Sequence, residues 1–202
     1  MCGRFLVGEE VYEDIWKILT DLSVGSSVLN SQLSNLVRGE VFPTNTVPVH
    51  TLDGAMGVKW GFPRWKGAGV IINARAETAL EKNMFRKPLL ERRCVIPSNG
   101  FFEWDQNSGQ KKKDKYLLRR PGERLLFMAG MISLFRDPDG LEYGAFVILT
   151  TAANESVSPI HDRMPVILAP DERNSWLRDD GFMEHALHRE GPGLTMKACI
   201  SP

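Results

Sequence analysis

A cysteine stands second in this chain, in the opening "MCGRF", and only Cys94 and Cys199 share its type. When initiator processing removes Met1, Cys2 carries a free α-amine and a thiol on adjacent carbons, two nucleophiles in one residue. Its partners are sought among polar groups set in apolar strands, because a buried polar side chain costs free energy unless it is paired or used. Four stretches qualify: "VIINARAET" carries Asn73, Arg75 and Glu77; "NGFFEW" sets Glu103 among aromatics; "VILTTAAN" ends on Thr150 and Thr151; and "SPIHDRMPVIL" places His161 and Arg163 before an apolar run. Each alone has a structural reading: Asn73 caps a turn, Arg75 and Glu77 pair, Glu103 meets an arginine, and His161 is a satisfied core or surface histidine. Joined to Cys2 they supply a nucleophile, a carboxylic acid whose pKa Phe101, Phe102 and Trp104 would raise, an imidazole and an amide. That set serves acid–base-assisted covalent chemistry.

A basic and aromatic stretch, "KWGFPRWKG", has two readings. Trp60, Phe62 and Trp65 could stack on unpaired bases while Lys59, Arg64 and Lys66 meet phosphates. Alternatively, Trp60 and Phe62 belong to a core strand and the remainder to a loop. The chain as a whole is neutral, with 25 basic and 25 acidic residues, but residues 59 to 124 hold 16 Lys/Arg against 7 Asp/Glu, a net +9 balanced by −9 elsewhere. One face meeting a polyanion would produce this asymmetry, and so, in part, would a solvated basic hairpin at "GQKKKDK".

The elements that must position these groups are mostly short strands. "VPVHTL", "AMGVKWGF", "GVIINARA", "RCVIP", "GFFEW", "KYLLRR", "RLLFMAGMISLF", "EYGAFVILTTAA" and "LTMKACI" are β-rich runs separated by Gly, Pro, Asp and Asn, and "RFLV" begins another. An amphipathic helix is expected over 9–22, with Val11, Ile15, Ile18, Leu19 and Leu22 on one face, and further helices over 80–91 and 171–178. Residues 23–46 read mostly as loop. With 202 residues and 43% hydrophobic composition, the expectation is one α+β domain over 1–202, with a predominantly antiparallel β-barrel-like core and a few peripheral helices. No apolar run approaches the roughly 20 residues of a membrane span and no secretory leader is visible, so a soluble, cytoplasmic protein is expected, nucleoid-associated in a bacterium. Three dispersed cysteines indicate no disulfide framework, and Cys94 and Cys199 are expected to be buried and unreactive. His185 and His188 in "EHALHRE" read as a solvated helix end, so no metal or other cofactor is expected.

In this order, "MCGRF", "KWGFPRW", "NARAET", "RRCVIPSNGFFEW", "AGM" and "IHDRMPVIL" closely resemble the SRAP family, named for SOS-response-associated peptidases. The resemblance spans almost the whole chain. It implies a single α+β domain with a positively charged groove for single-stranded DNA, and a covalent crosslink between the N-terminal cysteine and abasic sites. Carried onto this chain, it makes Cys2 the nucleophile with Asn73, Glu103 and His161 beside it, and makes Arg4, Trp65, Arg75, Thr150 and Arg163 the DNA-binding positions. The chain departs from the family pattern at "GEVFPTN", where a "YNxAP"-like segment is usual: Pro43 is kept and the asparagine before it is lost. Three activities fit: crosslinking to the ring-opened sugar as a thiazolidine by a monomer acting on single-stranded DNA, with AP-lyase cleavage as a companion; peptidase or amidase chemistry of the N-terminal-nucleophile type, including self-removal of Met1; and DNA binding in which Cys2 is incidental.

Overall fold

A computed structural model of the protein describes residues 2–9, 37–109 and 111–199. The helix expected over 9–22, apart from Glu9, and the polar stretch 23–36 lie outside the described residues. The described residues form, in chain order, the strands β1 (Arg4–Val7), β2 (Gly39–Val41), β3 (Thr46–Thr51), β4 (Gly54–Trp60), β5 (Phe62–Pro63), β6 (Val70–Ile71), β7 (Asn73–Arg75), β8 (Arg93–Ser98), β9 (Gly100–Trp104), β10 (Lys115–Arg119), β11 (Leu126–Arg136), β12 (Glu142–Ala152), β13 (Arg163–Pro165), β14 (Ile167–Leu168) and β15 (Thr195–Ala198). Among the described residues four α-helices accompany them: Ala76–Ala79, Asn83–Glu91, Arg173–Arg178 and Asp180–His188. This is the expected single α+β domain. No helix among the described residues is long and apolar enough to cross a membrane.

Five strands close into a ring. β12 pairs with β4, β4 with β3, β3 with β8, β8 with β11, and β11 again with β12; only the β12–β4 contact is parallel. β8 and the middle of β12 are buried on both faces, which is why "RCVIP" and "AFVIL" read as continuous rather than alternating apolar runs. Val49, Val58, Ile96, Met128, Phe146 and Ile148 belong to the inner cluster. Their neighbours Val95, Phe127, Ala129 and Val147 belong to an outer one, which the helices Asn83–Glu91, Arg173–Arg178 and Asp180–His188 cover. Gly130, in the "AGM" stretch, is required by space: a Cβ there would lie 2.6 Å from the Ile96 Cδ1 and 2.7 Å from the Val147 carbonyl oxygen.

A second antiparallel sheet, in the order β15-β10-β9-β1-β2, packs Phe5, Val7, Val41, Phe101 and Leu118 onto the inner cluster. Phe5 meets Trp60 edge-on at 5.0 Å, and Trp60 stacks with Phe146 at 6.3 Å. Trp60 and Phe62 are fully buried, so they are core residues and not a stacking platform; Trp65, 91% exposed, is the ring of "KWGFPRWKG" that reaches solvent.

Other expectations need correction. Within 23–46, Gly39–Val41 is a strand because β1 offers it an open edge, with Phe5 opposite Val41. The helix expected over 80–91 begins only at Asn83, and the one over 171–178 opens as a 3-10 turn at Pro170–Glu172. Cys94 is buried in the barrel, where desolvation pushes its thiol up, but Cys199 is half-exposed beside an edge strand whose residues all face solvent.

On the outer wall, His50 is 5% exposed and its Nδ1 has no hydrogen-bond partner among the described residues. Burial, then the charges of Arg173 and Arg178, push the imidazole down to about 4. The unfolded chain therefore takes up a proton near pH 6.5 that the folded protein refuses until about 4. Stability falls as pH drops through that window, by about 3 kcal/mol at its lower end. Urea unfolding at pH 7 and pH 4.5 is expected to show this loss in the wild type and a clearly smaller one in His50→Gln.

Candidate functional site

Strand register carries the amino end to Glu103. β1 runs antiparallel to β9 with Arg4 opposite Phe102, so the residues before Arg4 travel alongside Glu103 and Trp104. Cys2 is fully buried there, and its thiol donates to the Arg4 carbonyl at 3.5 Å. Asn73 arrives from across the fold. β7 lies parallel to β12 with Asn73 opposite Ile148, and the Asn73 Nδ2 donates to the Cys2 carbonyl at 2.9 Å. Its other amide atom, Oδ1, is buried with no hydrogen-bond partner among the described residues, an acceptor directed into the site.

His161 is set by the turn that follows β12. The Ala153 N–H donates to the Asp162 carbonyl at 2.9 Å, closing the turn, and Asn154 braces it by donating to the carbonyls of Gly191 and Pro192. The segment after β9 is fastened to the same turn: the Gln106 N–H donates to the Ile160 carbonyl at 2.8 Å and the Asn107 side chain to that of Pro159 at 2.9 Å. These bonds hold the end of the Glu103 strand against the turn that carries His161.

The electrostatic environments of these groups are linked. Burial pushes the Cys2 thiol well up, the Glu103 carboxylate adds to this, and the positive amino terminus opposes it. Burial also raises Glu103, against the pull of the amino terminus. His161 is lowered by burial and then by the amino terminus, with Asp162 acting the other way. All three groups thus sense one amine. The His161 Nδ1 accepts the Arg163 backbone N–H at 2.9 Å, which leaves the ring proton on Nε2 in the neutral form. The Asp162 carboxylate, 2.9 Å from that same Nδ1, becomes an ion-pair partner only when the ring is protonated, and burial keeps it neutral.

The arginines are placed differently from one another. Arg163 grips Glu77 with two bonds, at 2.6 and 2.8 Å, and donates to the Thr150 carbonyl at 2.6 Å, so the partner of Glu77 is Arg163 and not Arg75. Thr150 is fully buried, its hydroxyl 3.4 Å from the Ala74 carbonyl; its observed contacts join β7, β12 and β13. Arg75 is exposed at the end of β7, and Arg4 is bound to Glu40 at 2.8 Å. Trp65 is not part of the Cys2 cluster by any observed contact. Glu40, Lys115 and Phe42, which do contact Arg4 or share its partner, were not singled out from sequence; the altered "GEVFPTN" segment was the available signal. Among the described residues no three His, Cys, Asp or Glu side chains group as a metal would require.

Residues 1–196 match the family model described as SOS response associated peptidase (SRAP). The chain belongs to the SRAP family. It is 34% identical over 192 residues to the abasic site processing protein YoqW of Bacillus subtilis, covering 88% of this chain and 80% of that protein. To YoaM of the same organism, also named an abasic site processing protein, it is 39% identical over 186 residues, covering 88% and 79%. A crystal structure of a protein from Bacteroides thetaiotaomicron shares its fold with a TM-score of 0.80 at 23% identity, covering 98% of this chain and 91% of the other. The SRAP match covers every residue of the Cys2 cluster.

Proposed function

We propose that this SRAP protein processes abasic sites in single-stranded DNA by bonding to them through Cys2. The observation that supports the reading is the gathering about the amino end of a buried cysteine, an amide bonded to it, a carboxyl group of raised pKa and a neutral imidazole. Removal of Met1 moves the terminal amine one residue, onto Cys2 itself. An abasic deoxyribose offers an aldehyde at C1′ only when its ring is open, and Glu103 in its protonated form gives the ring oxygen a proton and takes one back from the C1′ hydroxyl. The Cys2 amine then adds to C1′, and the carbinolamine loses one water to give the protonated imine, with Glu103 protonating the departing oxygen. Asn73, already bound to the Cys2 carbonyl, holds the amine in line, with its Oδ1 placed to accept a hydrogen bond from the amine N–H.

The raised thiol pKa means that Cys2 is a thiol, not a thiolate, when the imine forms, so ring closure needs a base. Glu103, ionised once it has protonated the departing oxygen, accepts the thiol proton while sulfur adds to the carbon of the protonated imine; the C–S bond forms as the C=N π pair moves onto nitrogen, which keeps the proton it already carries. The product is a five-membered thiazolidine, and the tether between amine and thiol makes the second addition intramolecular, an advantage of several kcal/mol. No redox step is involved. Single-strandedness follows from access, because the sugar must leave a stacked duplex to reach a buried cysteine. Exposed Arg75 and the basic 59–124 segment supply attraction for the phosphates, and Trp65 a face for an unpaired base.

The reading is tested by mixing purified protein with single-stranded DNA holding one abasic site and resolving the products under denaturing conditions. A covalent species is expected with wild type and with Cys94→Ala, and none with Cys2→Ala. An undiminished adduct in Cys2→Ala would overturn it.

A further inference from the structure

The outer face of the five-stranded sheet carries a cluster built around one carboxylate. Glu40 on β2 accepts from the Arg4 guanidinium at 2.8 Å with one oxygen and from the Lys115 ammonium at 2.6 Å with the other. The two cations rest on aromatic rings: Arg4 over Phe42 at 3.7 Å and Trp104 at 5.7 Å, Lys115 over Phe102 at 4.0 Å and Trp104 at 5.5 Å. All three charged side chains are a quarter to a third exposed. Hydrogen bonds and the charges of Lys115 and Arg4 outweigh burial and hold Glu40 below the usual carboxylate range, so it is ionised at neutral pH.

We propose that Glu40 is a built-in competitor for the DNA backbone: its carboxylate occupies the place on Arg4 and Lys115 that a phosphate takes when single-stranded DNA binds. This rests on the DNA-binding reading above and concerns the threshold for it. The geometry suits an exchange of anions. Both cations keep their aromatic supports when the carboxylate leaves, and partly exposed ion pairs of this kind contribute only about 0–1 kcal/mol each, so a phosphate displaces Glu40 at little cost. With Glu40 in place the cluster carries a net +1, and without its charge +2. The chain therefore binds single strands less tightly, and with a shallower salt dependence, than its cations alone would dictate.

Fluorescence anisotropy on a labelled single-stranded oligonucleotide without an abasic site, titrated at several salt concentrations, tests this free of covalent chemistry. Glu40→Gln, which keeps the side-chain shape and the backbone pairing of position 40 with Leu6, is expected to bind more tightly than wild type, with a log K against log salt slope steeper by roughly 0.7. The distant Glu142→Gln is expected to leave the slope unchanged, and Glu40→Gln to have no effect when Arg4→Gln and Lys115→Gln are already present. Equal slopes for wild type and Glu40→Gln would overturn the inference and leave the DNA-binding reading standing. A gain that persists without Arg4 and Lys115 would overturn it too, since Glu40 would then act by general repulsion. Failure of wild type and Glu40→Gln alike to bind the oligonucleotide would remove both the inference and the reading beneath it.

Discussion

Glu103→Gln is expected to slow adduct formation by about 10² to 10⁴-fold, the range that a positioned general acid–base group contributes, while affinity for single-stranded DNA without an abasic site stays unchanged. The glutamine keeps the shape of a side chain that is 2% exposed, so the fold is not the source of the loss. What disappears is a proton that can be given and taken back. Burial raises the Glu103 pKa, so the acid form persists to higher pH than an ordinary carboxyl group allows. The wild-type rate should therefore decline as pH rises through that raised pKa, and Glu103→Gln should lack this limb. Single-turnover rates from pH 4 to pH 9 measure both effects. A Gln variant within a few-fold of wild type, with the same pH profile, would remove Glu103 from the proton transfers.

The largest effect on stability is expected away from the site, at Arg93. Its buried guanidinium donates to the Trp176 carbonyl at 2.6 Å, the Leu89 carbonyl at 3.2 Å, the Leu177 carbonyl at 3.4 Å and the Asp180 carboxylate at 2.8 Å. Those carbonyls belong to the last turns of the helices Asn83–Glu91 and Arg173–Arg178, where a cation satisfies groups that no helical N–H can reach. Arg93→Met preserves bulk but leaves several acceptors without donors, at about 1–3 kcal/mol for each that water does not reach, so a loss of about 3–5 kcal/mol is expected. For a domain of this size the melting temperature should fall by roughly 10 °C. Adduct formation well below the transition should be unaffected, because Arg93 docks helices on the barrel's outer wall. A loss under about 1 kcal/mol would show that water or a shift of the helices replaces the guanidinium.

Sequence made the strands legible where apolar runs were bounded by Gly, Pro or Asp, as at Arg93–Ser98 and Glu142–Ala152. It did not reveal β2, because the sequence Gly39-Glu40-Val41 has no pattern of its own; pairing with β1 makes it a strand. Nor could it choose between core and stacking roles for Trp60, since an aromatic in a strand is the same letter on either face. The Cys2 cluster was legible as a set of residue types, whereas its assembly depends on the parallel β7–β12 contact and the turn at Asn154, both long-range. Long range also explains why Glu77 pairs with Arg163 and not with its near neighbour Arg75: β12 lies between β7 and β13 and brings their ends together. Cys199 looked like a strand residue and so a buried one, but β15 is an edge strand with its side chains in solvent.

The central claim is that amine and thiol of one residue both bond to C1′, and the intact mass of the adduct tests it most directly. The expected mass is that of the protein without Met1 plus the abasic DNA, less one water, and it should not change on treatment with borohydride, because a thiazolidine has no C=N bond to reduce. An adduct that gains two hydrogens under borohydride, or that retains Met1, would contradict the account: the first would mean an imine that the Cys2 thiol never closes, the second a bond made without the Cys2 amine.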